Sequence, residues 1–254
     1  MNSAKITAHE IRAMKARGEK IAALTAYDFA MTKLLDDAGI PLILVGDSLG
    51  MVVLGYSDTT QVTMDEIVHH LKACARAKPR GLLVADLPFG SYDTPSSALQ
   101  NAQRLVASGA EAVKAEGGRE IIEQIRAITT AGIPFLGHLG MLPQHVLEEG
   151  GYHIKGKTDV ERENLFADAK ALEEAGAFAV VLELVKPAVA KEVSEKISIP
   201  TIGIGAGSEC DGQILVTTDL LGTSPDYIPK HVKKNFHLAE QMKSAFIEWK
   251  HSIG

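Results

Sequence analysis

The chain has 254 residues, 46% hydrophobic and 23% charged, which is ample for a large buried core. A formal net charge of -6 argues against a nucleic-acid or anionic-membrane surface, which needs clustered Lys and Arg, and points to small-molecule partners. Its two cysteines, Cys74 and Cys210, are far apart and lack CxxC spacing, which argues against a zinc site or a disulfide framework and fits a reducing cytoplasm.

In chain order, Met1-Asn2-Ser3-Ala4-Lys5 has no apolar leader core, and no stretch approaches ~20 apolar residues, so a soluble, unprocessed, cytoplasmic protein is expected. Thr7-Ala8-His9-Glu10 has the form of a capping box, and Ile11 and Met14 follow at helical spacing, predicting a short helix that covers one end of the core. Ile21 to Thr25 predicts the first strand, tipped by Tyr27-Asp28, and a helix follows from about Phe29 to Asp37, closed by Gly39. Ile43 to Val45, apolar on both faces as a buried parallel strand requires, delivers Asp47 and Ser48 into a turn. Gly50, Gly55 and the polar run from Ser57 to Gln61 predict a loop long enough to fold over a site. Thr63-Met64-Asp65-Glu66 caps a helix with Ile67, Leu71 and Cys74 on one face.

Leu82 to Asp86 is the third strand, and Thr94-Pro95 opens the helix after it. The fourth, Ala112 to Glu116, is broken by Gly117-Gly118 and followed by a helix face of Ile121, Ile125 and Ile128. The fifth strand ends at His138, and the glycine-rich stretch from Leu139 to Lys157 reads as an active-site loop. Thr158-Asp159-Val160-Glu161 caps a helix running to Ala175. The sixth strand ends at Glu183, Pro187 opens a helix, Pro200 to Ile204 is the seventh strand and Ile214 to Thr217 the eighth. Phe236, Ala239, Met242, Phe246 and Trp249 recur at helical spacing in a closing helix.

Eight strands alternating with helices predict a single (β/α)8 TIM barrel over residues 1–254, with an N-terminal helix and a C-terminal closing helix. A doubly wound open sheet is the alternative. The barrel is favoured because polar tips come from several strands, whereas an open sheet gathers its site at one switch point.

Those tips carry the chemistry. If neighbouring strands bring Asp47, Asp86 and Glu116 together, like charges about 4 Å apart repel by roughly 4 kcal/mol at an effective dielectric of 20. They then want a counter-charge. A hard divalent cation supplies one, and oxygen ligands without cysteine favour Mg²⁺ over zinc. Lys114 shares the strand face of Glu116, where its ammonium can bind a substrate carboxylate. For any single acid a structural salt bridge competes, but five strand ends behaving alike weaken that reading. Gly203-Ile204-Gly205-Ala206-Gly207 reads as a phosphate loop or a tight turn. His69, His70 and His145 read as surface or helix histidines. His138 divides between orienting substrate and bracing the loop, and Ser48 between capping a turn and binding substrate.

Val45-Gly46-Asp47-Ser48-Leu49-Gly50-Met51, Asp86-Leu87-Pro88-Phe89, Val113-Lys114-Ala115-Glu116-Gly117-Gly118, Gly137-His138-Leu139-Gly140, Gly203-Ile204-Gly205-Ala206-Gly207 and Asp211-Gly212-Gln213-Ile214-Leu215-Val216 occur in this order. Together they resemble the ketopantoate hydroxymethyltransferase family over nearly the whole chain. The resemblance implies transfer of a one-carbon unit from 5,10-methylenetetrahydrofolate to 3-methyl-2-oxobutanoate, giving 2-dehydropantoate and tetrahydrofolate through a Mg²⁺-stabilised enolate. It further implies that Asp47, Asp86 and Glu116 hold or surround Mg²⁺, that Asp47, Ser48, Asp86 and Lys114 contact the keto acid, and that Glu183 accepts the proton. A homodecamer is implied as well. Spacing does not place the folate pocket.

Two other readings compete. One is another Mg²⁺-dependent 2-oxo acid lyase or mutase of the phosphoenolpyruvate mutase and isocitrate lyase type, which would not require folate. The other is a non-catalytic metabolite-binding barrel, against which Glu183 on a strand of its own argues.

Overall fold

Alternation along eight short strands decides the architecture. In the computed structural model, which describes residues 4–224, 228–233 and 236–253, the strands are β1 (Ile21–Thr25), β2 (Leu42–Val45), β3 (Leu82–Asp86), β4 (Ala112–Lys114), β5 (Phe135–Gly140), β6 (Ala179–Glu183), β7 (Thr201–Ile204) and β8 (Gly212–Leu215). Each pairs in parallel with the next and β8 returns to β1, so the barrel closes. Residues of one parity, including Ile21, Leu42, Leu44, Leu82, Val84, Leu136, Val181 and Ile202, pack into one cluster that spans the barrel. Those between them, including Ile43, Val45, Leu83, Ala85, Val113 and Val180, pack outward against the helices. Met1, Asn2 and Ser3, where the reading of the leader falls, lie outside the described residues.

The helices are α1 (Ala8–Ala16), α2 (Phe29–Asp37), α3 (Leu49–Val52), α4 (Met64–Arg76), α5 (Pro95–Ala107), α6 (Ile122–Thr130), α7 (Asp159–Glu174), α8 (Pro187–Lys196), α9 (Thr217–Leu221) and α10 (Leu238–Ser252). Thr63, Thr94 and Thr158 each close a reciprocal capping box. At α1 only half of the box forms. Thr7 Oγ1 accepts the Glu10 N–H, but the Glu10 carboxylate pairs with Arg17 at 2.6 Å. Ile11 of α1 joins the interior cluster and plugs the bottom of the barrel.

Boundaries move where backbone contacts outweigh local pattern. β8 lies two residues earlier than predicted because Gly212 approaches β1 so closely that a Cβ there would meet the Ile21 carbonyl oxygen at 2.3 Å. Thr217, read as the strand's end, instead begins α9 and donates two hydrogen bonds to Thr25, from its N–H to Oγ1 and from its hydroxyl to the carbonyl oxygen. β4 ends at Lys114, β5 continues past His138 to Gly140, and the polar stretch after β2 contains α3 and a single 3₁₀ turn over Thr59–Gln61. The expected C-terminal helix forms as α10. None of its residues is buried, and Phe246 and Trp249 are 64% and 66% exposed. An apolar stripe shows that a helix needs cover but does not say which surface provides it. Among the described residues no helix is long and apolar enough to cross a membrane.

Candidate active site

The inward parity of the strands continues to their carboxyl ends and fixes which polar groups meet. Val84 leads to Asp86, Ala112 to Lys114 and then Glu116, Leu136 to His138, and Val181 to Glu183. All five enter the top of the barrel, where barrel enzymes place their chemistry. Asp47 has the opposite parity and arrives by another route. The turn after β2 swings its backbone over β3, and the Asp47 N–H donates to Asp86 Oδ2 at 3.0 Å. Asp47, Asp86, Lys114, Glu116 and His138 are each no more than 5% exposed.

Lys114 stands among the acids. Its Nζ lies 2.7 Å from Asp86 Oδ1 and 3.9 Å from Glu116 Oε1. The β3–β4 register makes Asp86 and Lys114 direct neighbours. Burial works against the ammonium charge, but Asp86, Glu116 and Asp47 together outweigh it and raise the lysine pKa. The chain thus supplies one unit of the counter-charge the acids require. Burial, reinforced by Asp86, pushes Asp47 up to about 7. Burial also holds Glu116 well above the usual carboxylate range, against the pull of Lys114.

His138 is the least satisfied group. Its Nδ1 lies 3.6 Å from Glu116 Oε1 and its Nε2 3.3 Å from Glu183 Oε2, the Met141 backbone lies close to the ring, and among the described residues neither ring nitrogen, nor Glu116 Oε1, has a partner in good hydrogen-bond geometry. Burial, and then Lys114, lower its pKa well below the ordinary value, so the ring is neutral. A buried, unpaired polar atom costs about 1–3 kcal/mol, and such atoms are expected where a ligand will bind. Glu183 is pushed up to about 7, chiefly by burial, with Lys114 opposing. Leu184, immediately after it, has φ +47°, an uncommon conformation for leucine that marks a constrained end to β6.

Three site residues escaped the sequence reading. Gln144 donates from Nε2 to Asp47 Oδ2 at 2.8 Å and to the Leu87 carbonyl oxygen at 3.1 Å, and its N–H donates to Glu116 Oε2 at 2.9 Å. Tyr92 OH donates to Gln144 Oε1 at 2.6 Å. Tyr27 OH and Ser48 Oγ pair at 2.9 Å. In the sequence Tyr27 stands only at the tip of the first strand, Tyr92 follows the third strand without a helical or strand pattern, and Gln144 sits in an irregular stretch without periodicity. Ser48 begins α3 without capping it, so its hydroxyl serves Tyr27. His70 bonds the Tyr27 carbonyl oxygen and His145 pairs with Glu148 at an exposed edge, as helix and surface histidines do. Gly205 and Gly207 take positive φ and fold tightly against Leu184 and Pro187, which favours the turn reading of that loop.

Among the described residues no three Asp, Glu, His or Cys side chains are gathered tightly enough to hold a metal by themselves. The physical reason is Lys114, which separates Asp86 from Glu116. The donor set still suits Mg²⁺, which is typically held by one or two carboxylates and completes its shell with water and substrate oxygens. Asp47 and Asp86 are adjacent, both are oxygen donors, and Glu116 keeps one unpartnered oxygen beside them.

The chain matches the family model described as ketopantoate hydroxymethyltransferase over residues 5–254. It is 51% identical over 242 residues to the 3-methyl-2-oxobutanoate hydroxymethyltransferase of Ignicoccus hospitalis, covering 95% of this chain and 92% of that protein. It is 50% identical over 251 residues to the enzyme of that name from Moorella thermoacetica, covering 98% and 93%. Solved barrels share the fold at low identity. One is a phosphonopyruvate hydrolase in complex with oxalate and Mg²⁺, with a TM-score of 0.63, 14% identity and coverage of 97% and 99%. Another is 2,3-dimethylmalate lyase of the phosphoenolpyruvate mutase and isocitrate lyase superfamily, with a TM-score of 0.64, 18% identity and coverage of 97% and 88%. The full-length match to the family model and identity near one half place this chain in the ketopantoate hydroxymethyltransferase family.

Proposed function

We infer that this protein is a 3-methyl-2-oxobutanoate hydroxymethyltransferase that takes its one-carbon unit from 5,10-methylenetetrahydrofolate and releases 2-dehydropantoate and tetrahydrofolate. Family membership supports the reaction. The single observation that carries the mechanism is Glu183, a half-buried carboxylate pushed up to about 7 beside a cluster of acids that one lysine partly neutralises. A base works best when its pKa lies near the operating pH, where it contributes roughly 10²- to 10⁴-fold.

Asp47 and Asp86 hold Mg²⁺ in this reading, with Glu116 beside them. When bound, the dication supplies Lewis-acid polarisation of the keto oxygen. Lys114 and Ser48 bind the keto acid's carboxylate and orient its C3–H towards Glu183. The Glu183 carboxylate receives the C3 proton. The C3 electron pair forms the new bond to the folate's methylene carbon, both of whose bonds to nitrogen break over the full reaction; water supplies the hydroxyl oxygen, and the C3 proton together with one proton from water goes to the two folate nitrogens. His138, neutral and otherwise unpaired, donates to substrate between Glu116 and Glu183. A single barrel domain suffices for these roles. The exposed apolar face of α10 supports a homo-oligomer, and the decamer implied by the resemblance would cover it.

Exchange of the C3 proton with deuterated solvent, followed by NMR without folate, tests the base. Glu183→Gln is expected to keep keto-acid binding and lose exchange. Exchange at the wild-type rate in that variant would refute the assignment. The lyase and mutase reading shares the barrel, but the low-identity neighbours show fold alone. Turnover that proceeds without folate would favour it.

A further inference from the structure

A hollow of about 450 Å³ opens between the loops that follow β3, β4 and β5, with Glu116 in its wall. Its volume lies in the ligand-sized range of ~300–1,000 Å³. Two features limit what it can hold. Phe89, Tyr92, Ile121 and Leu142 give it flat apolar sides, and Phe89 is left 44% exposed with its ring edge-on to His145 at 6.2 Å. Its charged groups are acidic. Glu148 and Glu149 are already paired with His145 and Lys155, whereas Asp93, at the rim, has a carboxylate with no partner among the described residues. Among the described residues no Lys or Arg lines the hollow, so it repels phosphates and carboxylates.

An aromatic-walled pocket rich in acceptors and without cations suits a flat, neutral heterocycle with several N–H donors. The pterin ring of a reduced folate has this chemistry: its 2-amino group and N3–H present two parallel donors to one carboxylate. The folate's glutamate tail, itself anionic, would be turned away to solvent. The hollow also adjoins the reacting centre. Tyr92 lines it and donates to Gln144, which in turn donates to Asp47, and Glu116 lies 3.6 Å from His138, which lies 3.3 Å from Glu183. We propose that this hollow is the pterin-binding half of the folate site, with Phe89 stacking on the ring and Asp93 reading its amino edge. The proposal rests on the folate-dependent reaction above.

The test titrates tetrahydrofolate, the tailless 6-methyltetrahydropterin and, separately, 3-methyl-2-oxobutanoate into the intact protein. Phe89→Ala and Asp93→Asn are each expected to weaken both pterins at least about tenfold, a difference of roughly 1.4 kcal/mol, with less than a twofold change for the keto acid. Full pterin affinity in both variants, or parallel loss of pterin and keto acid, would overturn the pocket assignment. Wild-type protein that binds the keto acid but neither pterin would overturn both the pocket and the folate-dependent reaction beneath it.

Discussion

Gln144 Nε2 donates to Asp47 Oδ2 at 2.8 Å across 97 residues of sequence, fixing one carboxylate oxygen of a residue no strand holds. Asp47 lies beyond the end of β2, so this bond and the contact of its N–H with Asp86 define where it sits. Groups that orient a metal-binding carboxylate typically matter 10- to 100-fold for metal affinity or activity. Gln144→Ala is therefore expected to raise the Mg²⁺ concentration for half-maximal activity by about 10- to 100-fold. A metal titration of the rate checks this, and an unchanged midpoint would remove Gln144 from the site.

Glu183 gives two linked pH predictions. As the proposed base, Glu183 accepts a proton only when it is unprotonated, so C3 exchange in the wild type is expected to rise with pH through about 7 and then level. The same shift acts on stability with the opposite sense. The ordinary pKa is 4.5 and the folded value about 7, so the folded protein holds an extra proton between them. The contribution to stability is complete below pH 4.5 and is lost as pH climbs to about 7. Above that range a half-buried carboxylate is left charged. Glu183→Gln is expected to be more stable than wild type at pH 8 by roughly 3 kcal/mol at most, and about equal at pH 4.5. Urea unfolding of the metal-free proteins at the two pH values measures the difference.

Removing the lysine should have the reverse effect. Taking one partner from a buried ion pair typically costs about 3–5 kcal/mol because the remaining charge is uncompensated. Lys114→Met is expected to lose stability of that order, since Asp86 is 1% exposed. Mg²⁺ should restore part of the loss, so its effect on Tm should be larger in the variant than in the wild type. Calorimetry with and without the metal tests this. Equal shifts would show that the lysine does not share the acids' charge with the dication.

α10 offers a prediction about assembly. Met242, Phe246 and Trp249 are 49%, 64% and 66% exposed and fall on one side of the helix, an apolar face of the kind that marks interfaces. Phe246→Glu combined with Trp249→Glu is expected to reduce the assembly size seen by sedimentation. Monomeric wild-type protein, or an unaltered assembly in the double variant, would count against this use of the helix.

Most of the barrel was legible because its signals are local. Apolar runs of four or five residues, threonine caps and closing glycines fix each element without reference to the others. The acids at the ends of β3 and β6 were legible for the same reason, since strand parity alone aims Asp86 and Glu183 inward. What could not be read was whatever depends on residues distant in sequence. Lys114 was expected to face a substrate carboxylate, and its role as the acids' own counter-charge emerges only when β4 lies beside β3. Gln144 sits in a stretch without periodicity, and Gly212 matters only because the Ile21 carbonyl oxygen happens to face it. The surface that covers α10 is likewise not encoded in the helix.

The direct pairing of Asp86 with Lys114 in the β3–β4 register has an evolutionary corollary. A one-residue insertion or deletion in β4 would turn the ammonium out into the helical layer and strand an acid in the interior. Such an indel would damage folding and activity together, so lineages can change the length of this segment only in the loops on either side of it. Sheet alignment and charge neutrality are inherited here as one trait.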